Sequence, residues 1–336
     1  MRAALAALSV LAWVGGCDRG EPRPSVDAGA LRAALDVPYF RNRLDAAVVE
    51  TWRRRDLVFE RIHFQGRYRD RIPALLCYSE LALFRPQPAI LYMPGRPSLK
   101  TELLQPQGLL PRWADAGYVM MSIDRPYDGD RPGDLGAAIE TKGLGGVWGE
   151  TVYDLMCAID YLGTRAEVDT ARIGILGWSM GGMEALLVAA LDPRIAAVAS
   201  AGGHLAWDEI FAAGSWRLIF PGLPITRELV AAGAGGRAAQ RAFQERFASL
   251  EYADAAVAAR LVAPRPLLLL GGEADAYVPP AATKRAHAAA ADAYRNLDAE
   301  ERLRRWSAPG VGHQFTQAME RRARAWFDRW LTETGA

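Results

Sequence analysis

The chain has 336 residues, 51% of them hydrophobic and 24% charged, which is ample for a large core and far from the bias of disordered or collagen-like sequences. Its 40 lysines and arginines face 39 acids, and no long run of one sign stands out. Nucleic acid and other polyanions are therefore not expected as partners.

In chain order, Arg2, the apolar stretch from Ala3 to Val14 and the small residues Gly15 and Gly16 form the pattern of an export signal. The apolar stretch falls short of the roughly 20 residues that a membrane-spanning helix needs. Val14-Gly15-Gly16-Cys17 resembles the bacterial lipobox. That resemblance implies a signal peptide over 1–16, lipidation at Cys17 and a lipid anchor in a membrane of the bacterial cell envelope. Plain secretion with cleavage nearby is the alternative. Residues 17–29, with Pro22, Pro24 and mixed charges, read as a flexible tether, and 30–336 as the folded domain.

Arg32–Arg54 is expected to be a helix outside the main sheet. Leu57–Phe64 and Ile72–Ser79 read as a hairpin at the sheet's leading edge. Five runs follow that are apolar throughout: Ala89–Met93, Tyr118–Ile123, Arg172–Leu176, Ala197–Ala201 and Pro266–Leu270. Such runs suit strands covered on both faces, as in a parallel sheet. Helices are expected between and after them, at Leu109–Ala116, Trp148–Leu162, Gly181–Ala190, Ala281–Asn296 and Gln314–Thr332. The alternation predicts an α/β fold, a mainly parallel twisted sheet flanked by helices with right-handed crossovers. It breaks at 203–260, a stretch far longer than a crossover needs, which reads as a helical cap insertion or as an excursion remote from the site. Cys77 and Cys157 lie in apolar runs and read as buried free thiols. No cysteine or histidine grouping has metal-ligand spacing, so no metal is expected.

Gly177-Trp178-Ser179-Met180-Gly181 sits between an apolar strand and a helical stretch. A serine on so tight a turn has its hydroxyl pushed outward, and side chains two positions either side would collide, hence the glycines. Serine needs an adjacent base. Of the four histidines, His313 in Pro309-Gly310-Val311-Gly312-His313 stands in a glycine-bearing loop after the strand-like Arg302–Ser307, and is the candidate base. His204, just after a strand, is a candidate pocket residue. Asp275 follows the most apolar strand and is the candidate acid that fixes the imidazole tautomer, with Glu273 as its competitor. All three follow strands, and in a parallel sheet such ends face one edge. Met180 is expected to supply one oxyanion N–H and Arg96 the other, since Pro94 has none. Trp148, Trp178 and Trp207 are pocket candidates by position, with a core role as the plain alternative.

The stretches Gly143 to Gly149, Arg172 to Gly182, Leu191 to Ile195, Pro264 to Pro266, Gly272 to Pro279 and Gly312-His313 are similar to bacterial α/β-hydrolases of the acetyl-xylan-esterase and dienelactone-hydrolase-like type. The similarity is dense over 88–205 and 260–332 and weak in the expected cap and N-terminal region. It implies an α/β-hydrolase fold, a Ser179–Asp275–His313 set in the chain order of that superfamily, and hydrolysis of a small-molecule carboxylic ester through an acyl-enzyme with no cofactor. Many such relatives carry His-Gly where this chain has Pro94-Gly95. Dienelactone hydrolases proper use a cysteine nucleophile, so Ser179 argues against that activity. A serine peptidase of the prolyl-oligopeptidase type and a non-catalytic envelope binding protein are the other readings. The short region upstream of the sheet is expected to leave no room for the propeller such peptidases carry.

Overall fold

The computed structural model describes residues 27–332 apart from 69, 97–99, 101–102, 104 and 106–107. The expected export signal, Cys17 and most of the tether lie outside the described residues. Among these, nine strands form one sheet in the order β1-β2-β3-β5-β4-β6-β7-β8-β9. They are β1 (Ala47–Arg54), β2 (Leu57–Gln65), β3 (Arg71–Ser79), β4 (Gln87–Met93), β5 (Val119–Ile123), β6 (Val168–Trp178), β7 (Ile195–Ala201), β8 (Leu267–Gly272) and β9 (Leu303–Ala308). The first three pair antiparallel, as does β3 with β5, and every pairing from β5 to β9 is parallel.

The central strands are buried on both faces because helices cover both. α1 (Ala28–Ala34), α2 (Leu109–Asp115), α3 (Leu135–Leu162), α4 (Met180–Leu191), α5 (Trp207–Ala213), α6 (Trp216–Ile219), α7 (Pro224–Ala231), α8 (Gly236–Arg246), α9 (Ala255–Val262), α10 (Pro280–Arg295) and α11 (Gln317–Phe327) follow in chain order. Trp113 of α2 and Met319, Ala323 and Phe327 of α11 pack in one apolar cluster with alternate residues of the strands, such as Ile90 and Leu176. Leu91 and Ile175 point the other way, into the larger cluster with α3 and α4. Strand order reverses between β5-β4 and β4-β6, so the loops leaving β4 and β6 diverge and open a crevice at the sheet's carboxyl edge.

The helix expected at Arg32–Arg54 is a correction. Helix α1 ends at Ala34, Asp36 takes φ +51°, and residues 47–54 form edge strand β1 on β2. Pro38 cannot continue a helix, and Val48, Val49 and Thr51 suit a pleated ladder with β2 on offer. Helix α3 begins thirteen residues before the expected Trp148, broken at Gly143 where φ is +72°. The terminal helix starts three residues later than expected, where Thr316 caps it, its hydroxyl accepting from the Met319 N–H at 3.3 Å, and runs on as a π-helical turn, Asp328–Thr332, to the expected end. The stretch between β7 and β8, which takes in residues 203–260, holds α5 to α9, the last of them running on to Val262. Cys77 and Cys157 are buried and free, and burial pushes the Cys77 thiol up to about 12. No helix among the described residues is long and apolar enough to cross a membrane.

Candidate active site

Strand β6 ends at Trp178 and α4 starts at Met180, so Ser179 alone makes the turn, with φ +55° and ψ −120°. A side chain at Gly177 would drive into the Gly181 carbonyl, and one at Gly181 into the Met93 carbonyl. The turn therefore closes only with glycine at both places. Its position is pinned by the Ser179 N–H, which donates to the Ala201 carbonyl at 2.8 Å.

Strands β8 and β9 bring the other two groups to the same edge. The Ser179 hydroxyl lies 2.8 Å from His313 Nε2, and His313 Nδ1 lies 2.8 Å from Asp275 Oδ2. Asp275 is buried, and its Oδ1 accepts from the backbone N–H groups of Tyr277 and Val278, both at 2.9 Å. A carboxylate only accepts, so Nδ1 carries the imidazole proton and Nε2 is left free to take the serine's. Trp178 and Tyr277 lie against the His313 ring, with centroids 4.7 and 4.8 Å away and planes inclined by 32° and 29°. Glu273, the competitor for the acid's place, is exposed.

A cavity of about 340 Å³ opens over Ser179, with Arg96, Met180 and His313 around the hydroxyl. Trp148, Leu205, Ile219 and Phe220 form apolar wall, the last three from the stretch between β7 and β8. The loop after β4 runs close to Ser179: a Cβ on Gly95 would sit 3.0 Å from Ser179 Cβ. Trp178 packs beside the histidine, and Trp207 lies behind the wall, buried, its Nε1–H donating to the Ala253 carbonyl at 2.8 Å. Its ring stacks on Trp148 at 6.0 Å.

His204 is the second correction, for it does not line the cavity. Gly202 takes φ +58° and turns the chain inward, and the ring is fully buried. Its Nε2–H donates to the Ser200 carbonyl at 3.1 Å, so Nδ1 accepts from the Thr283 hydroxyl at 3.0 Å. Burial pushes its pKa down to about 4.

A buried ionic pair braces the site and was not read from the sequence. Arg125, after β5, bonds Glu184 of α4 through Nε and Nη2, each at 3.0 Å, and Nη2 also donates to the Pro94 carbonyl at 2.5 Å. Its Nη1 meets Asp128 Oδ2 at 3.0 Å, and Asp128 Oδ1 meets Arg96 at 3.1 Å. The loop that faces Ser179 is thereby tied to the helix that begins at Met180, just after it. A glutamate set among Met183, Ala185, Leu186 and Leu187 was the signal available.

Topology and site together place the protein among the α/β-hydrolases. The chain belongs to the prolyl oligopeptidase family, matched over residues 110–334. It is similar to the Bacillus subtilis protein YtaP, whose name calls it a hydrolase, at 40% identity over 105 residues, 29% of this chain and 35% of that one. The chain thus spans about a third of the length of the curated relatives it matches. In fold it is similar to acetyl xylan esterase 1 of Thermoanaerobacterium sp., with TM-score 0.64 and 18% identity over 89% of this chain and 92% of that one. It is likewise similar to the glucuronoyl esterase of Solibacter usitatus, with TM-score 0.63 and 18% identity over 90% and 91%.

Proposed function

We propose that the protein hydrolyses a small carboxylic ester through an acyl-enzyme, with Ser179 as nucleophile, His313 as base and Asp275 as the group that orients it. The observation that carries this reading is the unbroken line of 2.8 Å contacts from the Ser179 hydroxyl through the His313 ring to Asp275. Ser179 Oγ attacks the carbonyl carbon while its proton passes to Nε2. The tetrahedral oxyanion takes N–H donors from Met180 and Arg96. Collapse returns the proton to the leaving alcohol, and a water activated by His313 then releases the acid. Asp275 is held in place by two backbone donors, so it faces the imidazolium that forms twice per turnover. Residues 203–260 act in this reading as a cap, since they furnish the apolar wall over the acyl group.

The esterase neighbours in fold support an ester over a peptide, whereas the family's name favours a peptide. Parallel assays of p-nitrophenyl acetate and a chromogenic prolyl peptide separate the two. Ser179→Ala is expected to lower kcat by roughly 10⁴-fold or more with an unchanged unfolding curve. Labelling of the parent by a fluorophosphonate, lost in the variant, is the matching readout. Ester hydrolysis by Ser179→Ala at the parent's rate would sink the assignment.

A further inference from the structure

The histidine has an aromatic neighbour that the steps above do not use. The Tyr277 ring stacks on His313, with centroids 4.8 Å apart and planes inclined by 29°. It lies two residues beyond Asp275, and its backbone N–H donates to Asp275 Oδ1 at 2.9 Å. One short loop after β8 thus meets the imidazole twice, with a carboxylate at Nδ1 and an aromatic ring against its face. Tyr277 is 42% exposed and also lines the catalytic cavity, so core packing does not account for where its ring lies. Trp178 lies against the same imidazole but is wedged into the turn: a Cβ on Gly95 or Gly202 would stand 2.8 or 2.5 Å from its indole. Tyr277 is therefore the ring that can be changed without disturbing the turn at Ser179.

The two hydrogen bonds of His313, to Ser179 and to Asp275, hold the edge of the ring and leave its tilt free. Once Ser179 carries the acyl group its hydroxyl is gone, and of the two only the bond to Asp275 remains. A ring packed on the imidazole face restrains that tilt throughout the cycle. The face of an aromatic ring is also the negative side of its quadrupole, which attracts a cation within about 6 Å of the centroid. The imidazolium that forms at each proton transfer is such a cation, and His313 is mostly shielded from solvent, where the attraction is stronger. Neutral imidazole gains less from the same face, so the contact favours the transition state over the ground state. We propose that Tyr277 is a positioning residue for the reaction, its ring holding His313 in line and stabilising the imidazolium. The proposal rests on the ester reading and adds a fourth side chain to it.

Tyr277→Leu and Tyr277→Phe test it with p-nitrophenyl acetate, whose acetyl group asks little of the cavity wall. Tyr277→Leu is expected to lower kcat about three- to tenfold with KM changed less than about twofold, and Tyr277→Phe to stay within about twofold of the parent. The acid limb of kcat/KM should move to lower pH by about half a unit in Tyr277→Leu, because the imidazolium loses its support, and stay in place in Tyr277→Phe. The charged groups around the ring are the same in both variants: Asp275 at Nδ1, and Arg96 with its partner Asp128 from the loops after β4 and β5. 4-Cyanophenylalanine placed at position 277 keeps the ring and withdraws charge from its face. It should move the acid limb as leucine does, and it carries the test should Tyr277→Leu not fold. A rise in KM with kcat and the acid limb unmoved, Tyr277→Phe as impaired as Tyr277→Leu, or an acid limb indifferent to the cyano group overturns the proposal. Ser179-dependent hydrolysis by the parent would in each case leave the ester reading intact. Absence of both hydrolysis and fluorophosphonate labelling in the parent would instead sink that reading itself.

Discussion

The His204 ring is sealed between the Ser200 carbonyl and the Thr283 hydroxyl, where a second proton would find neither solvent nor a bonded carboxylate. Its pKa falls to about 4 from an ordinary 6.5. Between those values the unfolded chain binds a proton that the folded one refuses, so stability falls as the solution is acidified. The contribution is fully present above about pH 6.5 and lost progressively toward pH 4, amounting to about 2 kcal/mol at pH 5. Urea unfolding at pH 7 and pH 5 measures it: the parent should lose about that much more than His204→Gln. Equal losses would mean that the ring is charged or solvated in the fold. His313, by contrast, keeps one nitrogen toward a carboxylate and the other toward a hydroxyl, an arrangement that serves proton transfer.

Between elements, the Arg125–Glu184 pair joins the loop after β5 to α4, and both side chains are almost wholly buried. Burial pushes the Glu184 carboxyl upward, with Arg125 opposing it. Removing Glu184 leaves Arg125 with Asp128 as its one remaining carboxylate, so Glu184→Gln is expected to cost about 1.5–3 kcal/mol in unfolding free energy. Because Arg125 also holds the Pro94 carbonyl, kcat should fall with it. The double variant Arg125→Met with Glu184→Leu should recover most of the stability and little of the activity. Recovery of both would show that the pair does not position the Pro94–Arg96 loop. Strand β1 carries the contrary lesson about elements. Its Ala47, Arg53 and Arg54 have helical propensity, yet an open edge on β2 decided its conformation.

For the molecule as a whole, the reversal of strand order at β4 sets where a ligand enters, and the stretch between β7 and β8 sets how much room it finds. Phe220 closes the cavity from that stretch. Phe220→Ala is expected to move the acyl-chain optimum toward longer esters, with kcat/KM for acetyl falling several-fold and that for hexanoyl rising. An unchanged chain-length profile would place the acyl group elsewhere. At the same scale we propose that Cys17 anchors the protein to a membrane. Metabolic palmitate labelling and membrane sedimentation should both be lost in Cys17→Ser. A parent that incorporates no palmitate would overturn the anchor.

Much of the site was legible before folding because its chemistry follows local rules. A serine flanked by glycines at a strand-to-helix turn, and an acid and a histidine each just past an apolar strand, are patterns of neighbouring residues. A parallel sheet carries such ends to one edge whatever the loops do. What depended on contacts between distant residues was not legible. His204 and His313 both follow strands, and only the inward turn at Gly202 buried one of them. The stacking of Tyr277 on His313 and the Arg125–Glu184 brace arise where separate parts of the chain meet. By itself the sequence determined the type of fold and singled out Ser179, Asp275 and His313, which the structure brings into hydrogen-bonding contact, since apolar runs and glycine sterics act over a few residues. The tertiary structure alone decided which polar groups would be buried, paired or left exposed to a substrate, because desolvation and pairing depend on what the rest of the chain brings alongside.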